Sequence, residues 1–92
     1  MKVVWSAEAS AQLENIFEFL AKGSEIYAHR TVQKLVARAD DLGDFPEMGR
    51  VDRHLDDPLI RELLVSPYIV RYFIGQNELY ILSVVHAARN RD

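Results

Sequence analysis

The sequence predicts an α+β domain in which an N-terminal helical hairpin packs on one face of an antiparallel sheet, in the order β-α-α-β-β-β. Apolar residues recur at helical spacing through the first half of the chain and at strand spacing through the end of the second half. Each segment also carries its own capping or turn residues. At 92 residues, the chain has room for one domain spanning residues 1–92 and for one modest core, so helices and sheet must share it.

The elements follow in order. Lys2 to Trp5 is short, β-branched and aromatic, and forms a first strand. Ser6 is an N-cap, with Glu8 in the first turn where negative charge suits the helix dipole. Ala9, Leu13, Ile16, Phe17 and Leu20 then share one face of a helix over Ala7 to Ala21, which Gly23 ends. Ser24 caps a second helix, whose face carries Ala28, Val32, Leu35, Val36, Ala39 and Leu42; Gly43 and Pro46 supply the stop. So short a connection forces the two helices antiparallel. Residues 44–58 read as loop. Three strand-like runs follow: Leu59 to Val65, closed by Ser66-Pro67; Tyr68 to Ile74, closed by Gly75-Gln76-Asn77; and Leu79 to Val85. Short turns between them make an antiparallel meander. Ala87 to Asp92 shows no period and is expected to be mobile when free.

Composition narrows the function classes. The absence of cysteine excludes disulfides and thiolate metal sites, and suits a reducing cytoplasm. No run approaches the ~18 consecutive apolar residues of a membrane span, and Lys2 is followed by too short an apolar stretch for a secretory signal. The expectation is a cytoplasmic protein without a membrane partner. The formal charge of −3 argues against a protein that grips nucleic acid mainly through phosphates. The basic residues are uneven, however: beyond residue 46 they are all arginine, at positions 50, 53, 61, 71, 89 and 91. Arginine suits planar, bidentate contacts with carboxylates and phosphates.

Several chemistries lack their motifs. There is no glycine-rich phosphate loop and no nucleophile elbow. His29, His54 and His86 are far apart, without a second ligand at metal spacing, so neither metal nor cofactor is expected. What remains is a cluster of Arg, His and Tyr on the strands. Alternation puts Ile69, Arg71 and Phe73 on one face and Tyr68, Val70, Tyr72 and Ile74 on the other. It groups Tyr80, Leu82, Val84 and His86 on one face of the last strand, and Arg61 with Leu63 and Val65. One reading is an anion site, with arginines holding a phosphate and His86 as acid or base, which is all that metal-free RNA cleavage needs. The plainer reading is cross-strand pairing of arginine with Glu62 or Glu78, a strand-end histidine, and tyrosines used for packing.

The motifs, taken in order, resemble the ParE/RelE superfamily of toxins. Trp5-Ser6-x-x-Ala9 is similar to the family's start, and Pro46-Glu47-Met48-Gly49-Arg50 to the loop after its second helix. Ile60-Arg61-Glu62-Leu63-Leu64-Val65 and Tyr68-Ile69-Val70-Arg71-Tyr72 are similar to its central strands, and Ile81-Leu82-x-Val84-x-His86-x-x-Arg89 to its last strand and tail. The resemblance covers nearly the whole chain.

It implies the toxin of a type II toxin–antitoxin pair, neutralised by a cognate antitoxin whose disordered C-terminal segment wraps it, with operator DNA bound only through that antitoxin. ParE-like members poison DNA gyrase by protein contact and are not nucleases. RelE-like members cleave mRNA on the ribosome. The Pro-x-x-Gly-Arg loop and the His-x-x-Arg ending resemble the ParE side. Ile69 stands where RelE-like nucleases carry arginine, and their lysines on the preceding strand are missing. The resemblance therefore implies a gyrase inhibitor, with Arg61, Arg71, His86, Arg89 and Arg91 as target contacts. The alternatives are a ribosome-dependent endoribonuclease using Arg61, Arg71, His86 and Arg89, or a homologue that binds its antitoxin and harms nothing.

Overall fold

Ser6 and Ser24 place the helices where the sequence puts them. In the computed structural model, which describes residues 1–52 and 54–89, the Ser6 Oγ accepts the Ala9 N–H at 3.0 Å and the Ser24 Oγ accepts the Tyr27 N–H at 3.1 Å. Each satisfies a backbone donor that the first helical turn leaves without a partner. After strand β1 (Lys2–Trp5), α1 spans Ala7–Ala21 and α2 spans Glu25–Asp44. A single 3₁₀ turn (Pro46–Met48) leads to β2 (Arg50–Val51). Then come β3 (Ile60–Val65), β4 (Tyr68–Ile74), β5 (Glu78–His86) and a 3₁₀ turn at Ala87–Arg89. No helix among the described residues is long and apolar enough to cross a membrane.

The sheet order is β1-β5-β4-β3-β2. The meander β3–β4–β5 is antiparallel, as its short turns require, and β2 adds an antiparallel edge inside the segment read as loop. β1 departs from the all-antiparallel expectation, for it pairs in parallel with β5, Val3 beside Leu79 and Trp5 beside Ile81. The helical hairpin and the meander reverse the chain so that first and last strands run the same way. The register then sets Val3 and Trp5 against the apolar core. That core lies between hairpin and sheet, with Ala9, Leu35, Ala39 and Leu42 meeting Leu63, Val70, Tyr72, Leu79, Ile81 and Val84.

Two further expectations change. α2 does not stop at Gly43 but passes through it, because the glycine is a close-approach point for the N-terminus. The Met1 ammonium donates to Gly43 O at 2.6 Å, and a Cβ there would lie 2.5 Å from Met1 O. In β5 the alternation breaks. The register shifts opposite Arg71 and Tyr72, leaving Leu82 without a cross-strand partner. Tyr80 therefore lies with Phe73 on the outer face, whereas Val84 and His86 lie with Val70 and Tyr68 on the helix face.

Candidate functional site

Strand alternation carries Arg71 to the open face of the sheet, directly across from Glu62. Its Nη2 donates to Glu62 Oε2 at 3.2 Å, and its Nε lies 3.0 Å from Asp52 Oδ2. That second contact is ionic, since the Nε–H points along no acceptor. Arg50 Nε approaches Glu62 from the neighbouring strand at 3.7 Å. Asp52 is only 1% exposed, and its Oδ1 accepts the N–H groups of His54 and Leu55 at 2.8 and 3.3 Å. Burial pushes the Asp52 carboxyl up, but those two N–H groups and the Arg71 charge outweigh it and hold the group below its ordinary range. Arg71 is thus tied to two buried carboxylates.

Arg61 lies on the opposite face and serves the Pro46-to-Arg50 loop. Its Nε donates to Pro58 O and its Nη1 to Gly49 O, each at 3.0 Å. Tyr72 completes the anchorage: its Oη accepts the Gly49 N–H at 2.9 Å and donates to Pro46 O at 2.6 Å. Burial holds this phenol above its ordinary range, so it stays a donor. Gly49 has no room for a side chain, because a Cβ would fall 2.7 Å from both Glu62 O and Tyr72 Oη. The Pro-x-x-Gly-Arg sequence is a loop pinned by two strand residues.

His86 and Arg89 come together at the other end of the sheet. The His86 ring stands edge-on to Tyr68 with centroids 5.5 Å apart, and its Nδ1 accepts the Ala88 N–H at 3.1 Å. This bond holds the 3₁₀ turn that carries Arg89. Both side chains are exposed and border a hollow of about 460 Å³ between α1 and β5. Of the sequence candidates, then, His86 and Arg89 converge, whereas Arg61 and Arg71 lie apart from them and on opposite faces of the sheet. Arg91 lies outside the described residues. Sequence reasoning missed Asp52, the Tyr72 anchor, and the borders that Arg30, Lys34 and Tyr68 give to a neighbouring hollow. Only the composition of the Pro46-to-Arg50 loop hinted at any of these.

The family model described as the ParE toxin of the type II toxin-antitoxin system, parDE, matches residues 3–91. The chain belongs to the ParE toxin family. A relative named Toxin RelE2, from Caulobacter vibrioides, is 36% identical over 89 residues, covering 96% of this chain and 97% of the relative. Putative toxin Y4kP, from Sinorhizobium fredii, is 31% identical over 88 residues, covering 94% and 88% respectively. A solved structure titled as the chromosomal ParDE TA system from P. aeruginosa has the same fold, with a TM-score of 0.76, 24% identity, and coverage of 94% of this chain and 95% of that one. This ParE-family chain is the toxin component of a type II toxin–antitoxin system, and its partner is a cognate antitoxin.

Proposed function

We propose that this ParE-family toxin arrests growth by binding DNA gyrase through protein contact, acting as one toxin domain and without cutting nucleic acid. The observation that carries the reading is the dispersal of the candidate residues. A metal-free nuclease needs a phosphate-binding arginine, a charge stabiliser and a proton carrier converging within a few ångströms of one phosphate. Here Arg71 is held by Asp52 and Glu62, and Arg61 by two backbone carbonyls. His86 lies at the strand end on the face opposite Arg71, which pairs with Ser83. Membership of the ParE family supports the same side. His86 and Arg89 then form the exposed surface offered to the target.

The test is binding of purified toxin to purified gyrase. Arg89→Ala is expected to weaken that binding about tenfold, as loss of a charged hydrogen-bonded contact does, while the far-ultraviolet circular dichroism spectrum stays unchanged. Unchanged gyrase binding by the variant would remove Arg89 from the contact. No gyrase binding by the unmodified chain would remove the reading itself.

A further inference from the structure

The last strand ends in a turn that is tied down twice. The Ala87 N–H donates to Pro67 O at 2.8 Å, which fixes the chain to the turn between β3 and β4. The next N–H, of Ala88, has the Nδ1 of His86 as its acceptor, at 3.1 Å. The 3₁₀ turn Ala87–Arg89 therefore leaves β5 in a direction that an imidazole ring sets. We propose that His86 is a positioning residue: its neutral ring holds Arg89 in the orientation that meets the target, and protonation of the ring releases the turn and weakens the toxin in acid. The inference rests on Arg89 being a target contact, and it adds what presents that contact and what withdraws it.

Three observations carry it. First, the ring is held where the acceptor is needed. Tyr68 lies beside His86 in the sheet register, and the two rings meet edge-on with centroids 5.5 Å apart. Tyr68 is buried, so it gives the imidazole a fixed wall. A hydrogen bond spanning two residues is worth little where the ring turns freely, because forming it must order the ring. Here packing has already ordered it.

Second, the bond exists in one protonation state only. An imidazole accepts through Nδ1 when its proton sits on Nε2, whereas the imidazolium carries hydrogen on both nitrogens and accepts nothing. Protonation turns the Nδ1 lone pair into a second donor facing the Ala88 N–H. The bond is lost, and the two N–H dipoles repel. His86 is exposed, so protons reach the ring from solvent.

Third, nothing around the ring holds an imidazolium in place. α1 presents the neutral Gln12 and Asn15. β4 presents Tyr68, whose phenol is kept above its ordinary range by burial first and by the Tyr27 phenol second, and so stays uncharged. Beyond Tyr68, α2 contributes Tyr27, Arg30 and Lys34, and the turn itself contributes Arg89. Among the described residues no carboxylate borders either hollow. A charged ring in the hollow that Arg89 borders adds like-charge repulsion to the lost bond. Arg89 is thus held above the ring's protonation range and released below it.

The experiment reads the turn and the target separately, on the full-length toxin. In the free toxin, backbone amide relaxation at Ala88 and Arg89 is followed by nuclear magnetic resonance from about pH 8 to about pH 5, where imidazole side chains change charge. Both amides are expected to be ordered at the upper end and mobile at the lower. His86→Phe keeps a ring against Tyr68 without the acceptor, and should be mobile throughout. His86→Asn sets a carbonyl oxygen close to where Nδ1 stood, and should restore order at every pH. Binding to purified gyrase is expected to fall about fivefold over the same range, the worth of one hydrogen bond. His86→Asn should bind more tightly than His86→Phe and lack the acid limb, which separates His86 from the other histidines and from gyrase's own titration. In an Arg89→Ala background, His86→Phe should cost less than it does alone, because His86 acts through Arg89. Equal cost in both backgrounds would overturn the proposal, by making His86 a contact in its own right. So would an ordered Ala88 amide in acid or in His86→Phe, or an acid limb retained in His86→Asn. Absence of gyrase binding by the unmodified toxin at every pH strikes the gyrase reading instead, and the relaxation measurement then still decides whether His86 holds the turn.

Discussion

Removing the Arg71 guanidinium leaves Asp52 and Glu62 facing each other as buried carboxylates without their shared cation. Breaking a buried pair in this way costs on the order of 3 kcal/mol, a large share of what a domain of this size has. Arg71→Ala is therefore expected to lower stability in urea denaturation, and to lose toxicity only in proportion to the unfolded fraction. Lost toxicity in a variant of unchanged stability would return Arg71 to the target surface. Acid should act on the same cluster. The folded Asp52 carboxyl titrates below its unfolded value of 3.8, so its contribution is present above that value and is lost as pH falls through the folded one. Stability is expected to decline below about pH 4, and Asp52→Asn should flatten that limb while lowering stability at neutral pH. An acid limb of the same steepness in Asp52→Asn would assign it to other carboxylates. These roles were half legible in the sequence. Glu62 was one of two acids within reach of the strand arginines, and it is the partner of Arg71. Asp52 was hidden, because its approach depends on a short edge strand of two residues with no period to read.

At the scale of elements, legibility followed whether the determinant is local. N-caps act over three residues, and both helices begin where Ser6 and Ser24 indicate. The meander follows from its turns. The parallel pairing of β1 with β5 joins residues 76 apart, Lys2 with Glu78, and nothing local encodes it. The break at Leu82 is equally nonlocal: a register shift moved His86 to the helix face, where alternation alone could not put it with Tyr68. Gly43 reads as a helix stop because glycine commonly is one, yet here it admits the chain terminus against the helix. The Pro46-to-Arg50 loop is the element whose chemistry the sequence displayed without its reason, and Tyr72 is that reason. Tyr72→Phe leaves the Gly49 N–H and Pro46 O without their partner, at a cost of about 1–3 kcal/mol. Gly49→Ala forces the loop off β3 and Tyr72, with a similar loss of about 1–3 kcal/mol. Both are expected to appear as lower denaturation midpoints with faster amide exchange at residues 46–50. Wild-type midpoints in both would mean that the loop is not anchored through Tyr72.

At the scale of the whole molecule, two sets of basic side chains sit in different surroundings. Arg50, Arg61 and Arg71 are bound to the protein's own carboxylates and carbonyls on and around β3 and β4. Arg30, Lys34 and Arg89 face solvent around a groove at the far end of the sheet. A net charge of −3 is compatible with a protein target, whereas unaided binding to a densely anionic ribosome calls for a broader basic face. The direct measurement is supercoiling by purified gyrase with plasmid DNA, with no ribosome present, titrated with purified toxin. Inhibition at near-stoichiometric toxin, weakened in Arg89→Ala and abolished by added antitoxin, is the predicted result. Gyrase unaffected at tenfold excess, together with discrete cuts in mRNA on purified ribosomes by the same protein, would contradict it.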